Sequence, residues 1–277
     1  MSRIVSFTAE GPLGDNLFQY FAAEIIKKIY GYDEVQLTLH INLEFNLVID
    51  DEKFKTIVTR YMEGDLVPLD TTRNILLMGF FQRSEIFEFE REHLLSLFHK
   101  DNEHYFNRNV RIKNIVMYCP KQPVERKEGD LTLHLDSRSQ RYDPAFLKGI
   151  IQTIPHQRLL IVNQVTAAEK DYTHHFDELH PTWIHGTIAD EFAALMQSSR
   201  LITSSSSLSW MAAFLGQGTE IHIPYNHHYG GKEGHGQSLA EFSPACVVYH
   251  DTVYWTPTEK DTPANPELSS TDTSGTA

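Results

Sequence analysis

Cysteine is nearly absent: the 277 residues contain only Cys119 and Cys246. Two thiols cannot build a disulfide framework or a four-thiolate zinc site, so the simplest reading is a pair of buried thiols in a reducing compartment. Long apolar runs are missing too, since stretches such as Ile75–Met78 fall far short of the roughly 18 residues a membrane span needs. The start, Met1–Phe7, has no long apolar segment, so neither a signal peptide nor membrane insertion is expected. Basic charge is in deficit, with 24 Lys+Arg against 37 Asp+Glu and a net charge of −13, which argues against a nucleic-acid partner. Several nucleotide and catalytic signatures are lacking: no G-x-G-x-x-G, no P-loop ending in Gly-Lys-Ser/Thr, no G-x-S-x-G elbow and no His-Glu-x-x-His helix.

What is present is an ordinary globular composition, 41% apolar and 22% charged, patterned as alternating strands and helices. A β-prone run Arg3–Thr8 leads through Gly11 and Gly14 into a helix over Asn16–Tyr30, with Leu17, Phe21, Ile25 and Ile29 at helical spacing. Extended pieces follow near Val35–Leu39 and Asn46–Ile49, then a strand Asn74–Phe80 and a helix over Ser84–Phe98. The charged stretch Glu125–Asp130, after Pro120 and Pro123, reads as a linker.

Beyond it the pattern restarts. Strands Leu131–Leu135, Arg158–Asn163, Arg200–Thr203 and Glu220–Ile223 alternate with helices Pro144–Thr153, Ile188–Gln197 and Leu208–Leu215. This alternation predicts βαβ units and a mainly parallel sheet. The expected organisation is a Rossmann-like domain over 1–125, a second over 129–257, and a disordered tail over 258–277, where Pro, Ser, Thr and Asp leave little to bury.

Parallel α/β sheets bind ligands beyond the carboxyl ends of their strands, which selects three loops: Ala9–Asn16, Asp136–Tyr142 and Ser204–Ser207. Gly11 and Gly14 permit close backbone approach, and the helix that follows offers unpaired N–H groups, with Asn16 in its first turn. Ser205, Ser206 and Ser207 place hydroxyls at another helix start, suited to a diphosphate or serving as a plain cap. Arg138 and Arg141 beyond the strand of His134 are candidates to neutralise a phosphate, or form a solvated charged loop. Asp15, Glu10, His134 and Asp136 are eligible as a general base by loop position. Fifteen histidines raise a metal hypothesis, above all His222, His227, His228 and His235 with the pair His174–His175. Adjacent histidines are expected to point apart, and no metal site is assigned.

Three separated stretches resemble the inverting fucosyltransferases, most closely the α-1,2-fucosyltransferase group. Gly11-Pro-Leu-Gly-Asp-Asn-Leu-Phe-Gln-Tyr20 is similar to that family's G-x-L-G-N-Q-L-F-Q-Y signature, and Gly79-Phe-Phe-Gln-Arg-Ser-Glu-Ile-Phe87 to its G-Y-F-Q-S-E-x-Y-F segment. Asp190 to Leu215 resembles its helix, strand and S-S-F-S-W-W-A-A-x-L element, in matching order across about residues 3–225. The donor motif H-x-R-R-G-D departs: this chain reads His134-Leu-Asp136-Ser137-Arg138-Ser139, with a carboxylate at the first arginine position.

The resemblance implies a GT-B fold, two Rossmann-like domains facing across a cleft, the acceptor mainly against the N-terminal domain (1–125) and the nucleotide sugar in the C-terminal one (129–257), with no cofactor beyond that donor and usually no metal. It implies transfer of fucose or a related sugar from a nucleoside diphosphate, GDP- or UDP-linked, to a hydroxyl of an oligosaccharide or glycoprotein glycan. Asp15, His134 and Asp136 are then the catalytic candidates, and Gly11, Gly14, Asn16, Arg138, Arg141 and Ser205–Ser207 the donor-binding ones. The altered loop leaves two alternatives: a UDP-sugar donor such as UDP-xylose, or a non-catalytic glycan-binding pseudo-glycosyltransferase. The expected location is the cytoplasm, of a microbe or of a cell hosting a virus. Because the glycine and serine loops are assigned to different domains, Gly14→Val is expected to block close approach at the first loop while leaving the C-terminal domain's donor affinity largely intact.

Overall fold

A computed structural model describes residues 2–38, 46–82, 87, 90–99, 127–136, 141–163, 170–216, 218–225 and 246–251. Arg138, Cys119, His227, His228, His235, the first two residues of the linker and the tail lie outside the described residues. The first sheet has four strands: β1 (Ile4–Phe7), β2 (Glu34–Leu37), β3 (Asn46–Asp50) and β4 (Asn74–Met78). They run parallel in the order β2-β1-β4-β3. The second sheet has six: β5 (Asp130–Leu135), β6 (Arg158–Asn163), β7 (Thr182–Ile184), β8 (Arg200–Ile202), β9 (Glu220–Tyr225) and β10 (Cys246–Asp251). These too are parallel, in the order β10-β9-β8-β5-β6-β7. Counted from β5, this is the 3-2-1-4-5-6 order of the doubly wound nucleotide-binding fold. The fold is therefore α/β and Rossmann-like.

Helix α1 (Leu13–Tyr30) begins after Pro12 and stops at Gly31, whose left-handed φ of 66° lets its N–H close onto the Lys27 carbonyl. Both sides of the helix are apolar, so it is buried nearly throughout, with Leu17, Phe21, Ile25 and Ile26 inaccessible to solvent. Helix α2 (Asp51–Met62) is capped by the Asp50 side chain and buries only Phe54, Ile57 and Val58. Helix α3 (Arg91–His99) follows β4. In the second half, α4 (Pro144–Thr153) starts under an Asp143 cap with Pro144 in its first turn. The short α5 (Lys170–Thr173) continues as a 3₁₀ turn, His174–Leu179. Thr187 and Asp190 form a capping box at α6 (Ile188–Met196), and Ser206 caps α7 (Ser207–Leu215).

One hydrophobic core joins the two sheets. It runs from Val5, Phe7 and α1 through Phe87 and α7 to Leu160, Val162, Leu201 and Ile221 of the second sheet. Phe18 of α1 lies 5.0 Å from Trp210 of α7, which stacks at 5.2 Å on Phe214. A separate cluster of Leu133, Ile161, Ile202, Leu147 and Phe176 covers the other face of the second sheet beneath α4 and α5. At the amino ends of β5 and β6, Arg158 grips the buried Asp130 with two nitrogens, at 2.9 and 2.6 Å, fixing their register. No helix among the described residues is long and apolar enough to cross a membrane.

Several elements depart from the sequence expectation. Helix α2 and strands β7 and β10 were not expected, and β4 ends at Met78, short of Phe80. His174 and His175 do not point apart: on the 3₁₀ turn their ring centroids lie 4.1 Å from each other. The wider radial spread of a strand is missing there.

Candidate functional site

In the second sheet the chain runs outward from β5 through β6 to β7, then returns to the other side of β5 with β8. A crevice for a ligand forms where such connections diverge, beyond the carboxyl ends of β5 and β8. His134 is the last residue but one of β5, next to Leu133, which pairs with Ile202, the last residue of β8. Two residues past β8, the buried Ser204 sets its Oγ 2.9 Å from His134 Nδ1. The same oxygen lies 2.9 Å from Ser206 Oγ and accepts the Ser206 N–H at 3.3 Å. Ser206 Oγ in turn accepts the N–H of Ser209 at 3.2 Å, and Ser209 Oγ accepts the N–H of Ser204 at 3.1 Å. A chain of hydroxyls thus connects a buried imidazole to the first turn of α7.

The glycine loop reaches the same place from the first sheet. Gly11 adopts φ 85°, and a Cβ there would lie 2.5 Å from Asp15 Oδ2. Gln19, buried on α1, holds the backbone of Glu10 from both sides: its Oε1 accepts the Glu10 N–H and its Nε2 donates to the Glu10 carbonyl, each at 3.1 Å. Gly14 is buried against α7, and a Cβ on it would sit 2.3 Å from Leu208 N and 2.4 Å from Ser207 C. The ground for expecting Gly14→Val to spare the donor side, that the two loops lie apart on different domains, does not hold: the first turns of α1 and α7 are in contact. Asp15, in that turn, accepts a 2.5 Å hydrogen bond from Gln82 Nε2, just past β4.

Two helix N-termini side by side are electrostatically unfavourable, since each carries about half a positive charge and unpaired N–H groups. Asp15 is the only acidic residue in the two first turns; α7 has none. Beside them Asn16 is buried, its Nδ2 3.4 Å from the Gly11 carbonyl and its Oδ1 without a hydrogen-bond partner. Such an arrangement can hold an anion rich in acceptor oxygens.

The remaining candidates are spread around this junction. Ser205 is exposed, while Ser206 and Ser207 are half-buried. Asp136 is half-buried just beyond β5. Arg141 lies over the Tyr172 ring, 5.2 Å from its centroid, and Tyr172 donates to the Tyr142 carbonyl at 2.6 Å. Burial raises the Tyr172 phenol well above its ordinary value, with Arg141 opposing. Glu10 is exposed and accepts from Thr8 Oγ1 at 3.1 Å.

Residues that the sequence reading missed also line the carboxyl edge. Ser204, rather than Ser205, touches His134. Asn163, at the end of β6 and paired with Leu135, is buried with its Oδ1 unpartnered, and its carbonyl accepts from His185 Nδ1 at 3.0 Å. Only burial reveals these; a lone Asn or Ser in a strand-end loop carries no signal of its own. Away from the junction, His222 sits between Glu220, at 3.0 Å, and His250, at 2.9 Å. Burial first, and His222 second, hold His250 below its ordinary pKa. No group of three or more His, Cys, Asp or Glu among the described residues is placed to hold a metal ion.

No family model matches the chain, and no curated protein matches it. Among solved structures, a mutant of Arabidopsis thaliana FUT1 in complex with GDP is similar at 9% identity and a TM-score of 0.44, covering 81% of this chain and 71% of that one. A glycosyl transferase family 9 protein from Veillonella parvula DSM 2008 is similar at 11% identity and a TM-score of 0.42, covering 90% and 86%.

Proposed function

We propose that this chain is a glycosyltransferase that moves a sugar, fucose or a relative, from a nucleoside-diphosphate donor to a hydroxyl of a glycan acceptor. The observation that carries the reading is the contact between the first turns of α1 and α7 at Gly14 and Leu208, beside the Ser204–Ser206 turn. The leaving nucleoside diphosphate develops negative charge as the anomeric bond breaks, and preorganised N–H and O–H donors stabilise that charge more than the ground state. His134 and Ser204 act as positioning residues. When His134 Nδ1 carries the proton, it donates to Ser204, Ser204 donates to Ser206, and the Ser206 hydroxyl proton is directed to the ligand. An anion selects that direction of the chain.

Arg138 supplies a cation to the diphosphate, in the loop where the resemblance expects one. Asp15, oriented by Gln82 at the mouth of the first sheet, is our candidate for the base that takes the acceptor proton. Asp136 favours a second reading, because its carboxylate beyond β5 opposes a diphosphate by like charge, as in a glycan-binding protein that has lost transfer.

The test is a thermal-shift and calorimetric series with GDP, UDP, GDP-fucose and UDP-sugars. A ligand at 100 times its dissociation constant adds about 2.7 kcal/mol of stability. Stabilisation by GDP ligands supports the fucosyl reading, and preference for UDP ligands keeps the transferase with another sugar. Stabilisation by no nucleotide favours the binding protein.

A further inference from the structure

The segment Gly79–Phe87 resembles a family element, yet of its described residues the proposed chemistry above uses only Gln82. Its first residues are held in a costly shape. Gly79, at φ 152°, turns the chain out of β4, and a Cβ there would lie 2.2 Å from Asp51 Oδ2. The Asp51 carboxylate, at the start of α2, accepts the N–H of Phe80 at 3.3 Å and of Phe81 at 2.7 Å. Phe81 adopts φ 54°, a left-handed conformation that bulky L-residues rarely take. Among the described residues the one other non-glycine case, His180, closes the 3₁₀ turn with its N–H on Asp177 O, an ordinary capping role. Phe81 caps nothing. Its ring is fully buried, edge-on to Phe54 at 5.0 Å.

The result of that turn is that Phe80 points the other way and stays 45% exposed. A single exposed apolar residue needs no explanation by itself. This one is different in position and in what maintains it. Of the other large exposed apolar residues described, Met62 and Leu66 lie at and beyond the far end of α2, and Tyr249 lies on the edge strand β10. Phe80 stands at the carboxyl end of a central strand, two residues before Gln82, which bonds Asp15 next to Gly14. Strain kept at the edge of a site points to function there.

Resting on the transferase reading, we propose that Phe80 is the stacking platform for the acceptor saccharide, its ring packing against the C–H face of a sugar while Gln82 and Asp15 meet the hydroxyls. A pyranose offers both surfaces at once, an apolar face and a polar rim, and an exposed aromatic residue two positions before an amide that bonds a carboxylate supplies the groups for that pairing. That would seat the saccharide on the first sheet, the side on which the resemblance expects the acceptor.

The experiment is saturation-transfer NMR and calorimetry of the full chain with lactose, N-acetyllactosamine, cellobiose and maltose, alongside GDP and UDP. The unsubstituted protein binds at least one saccharide. Phe80→Ala weakens it about fivefold or more, Phe80→Trp retains it, and Leu66→Ala changes nothing. Nucleotide affinity is unaltered in all three variants. Equal saccharide binding by Phe80→Ala, no saccharide binding by the unsubstituted protein, or an effect of Phe80→Ala confined to self-association in sedimentation overturns the platform. If nucleotides bind and saccharides do not, the platform falls and the donor reading stays. Saccharide binding that depends on Phe80 with no nucleotide bound by any variant upholds the platform and removes the transferase.

Discussion

Gly14 in the first turn of α1 faces the Leu208 backbone in the first turn of α7 so closely that a Cβ on the glycine would lie 2.3 Å from the Leu208 nitrogen. The neighbour is backbone and cannot rotate away. Gly14→Ala is expected to destabilise the protein by about 1–3 kcal/mol, as overpacking does, and to weaken nucleoside-diphosphate binding at the same time. Urea denaturation and calorimetry check both; an alanine variant with unchanged midpoint and affinity would refute the close contact.

Ser204→Ala leaves His134 Nδ1 without its serine partner and is expected to cost about 1–3 kcal/mol, the usual effect of stranding a buried polar group. The exposed neighbour is the control: Ser205→Ala is expected within about 0.5 kcal/mol of the unsubstituted protein. Equal losses at the two positions would argue against the hydroxyl chain.

Ser206 has two tasks, capping α7 through the Ser209 N–H and continuing the chain from Ser204. Loss of the cap in Ser206→Ala costs about 0.5–2 kcal/mol. Because Ser204 and Ser206 share a hydrogen bond, the double variant should lose less than the sum of the single ones, and a double-mutant cycle in urea measures the difference. Strict additivity would show that the two hydroxyls act separately.

Acid should weaken the fold in a defined direction. Burial, chiefly, lowers the pKa of both His250 and His93, the latter against α1 with Lys28 adding to the effect and Glu90 and Glu24 opposing it. A histidine whose folded value lies below its unfolded one near 6.5 binds more protons in the unfolded chain, so stability falls as pH drops through about 6.5 and levels off below the folded values. The urea midpoint is expected to be lower at pH 5.5 than at pH 7.5, and the gap should narrow in the His93→Gln, His250→Gln double variant. A midpoint that rises on acidification would contradict this.

Much of the fold is legible because local chemistry announces it. Pro144 after Asp143, Thr187 with Asp190, and Gly31 after Lys27–Lys28 are start and stop signals that act within a few residues. Strand β6 carries the continuous buried run Leu159–Val162, as a strand covered on both faces must. Helix α2 escaped because it buries only three side chains among charged ones, and β7 because three residues hold no period. Strand β10 lies at a sheet edge, where pairing with β9 defines it more than its own pattern.

The site divides along the same line. That loops after strands matter, and that glycines and serines open two helices, follows from the order of residues along the chain. The sequence by itself determined the parallel α/β alternation, the two helix starts and the residue types offered at them. The tertiary structure alone decided that Gly14 meets Leu208, that Ser204 and not Ser205 bonds His134, and that Asp51 turns Phe80 outward. Helix signals act over one turn and so are written locally, whereas these contacts join residues far apart in the chain, brought together by strand neighbours within one sheet for Ser204 with His134 and Asp51 with Phe80, and by packing between the two sheets' helices for Gly14 with Leu208.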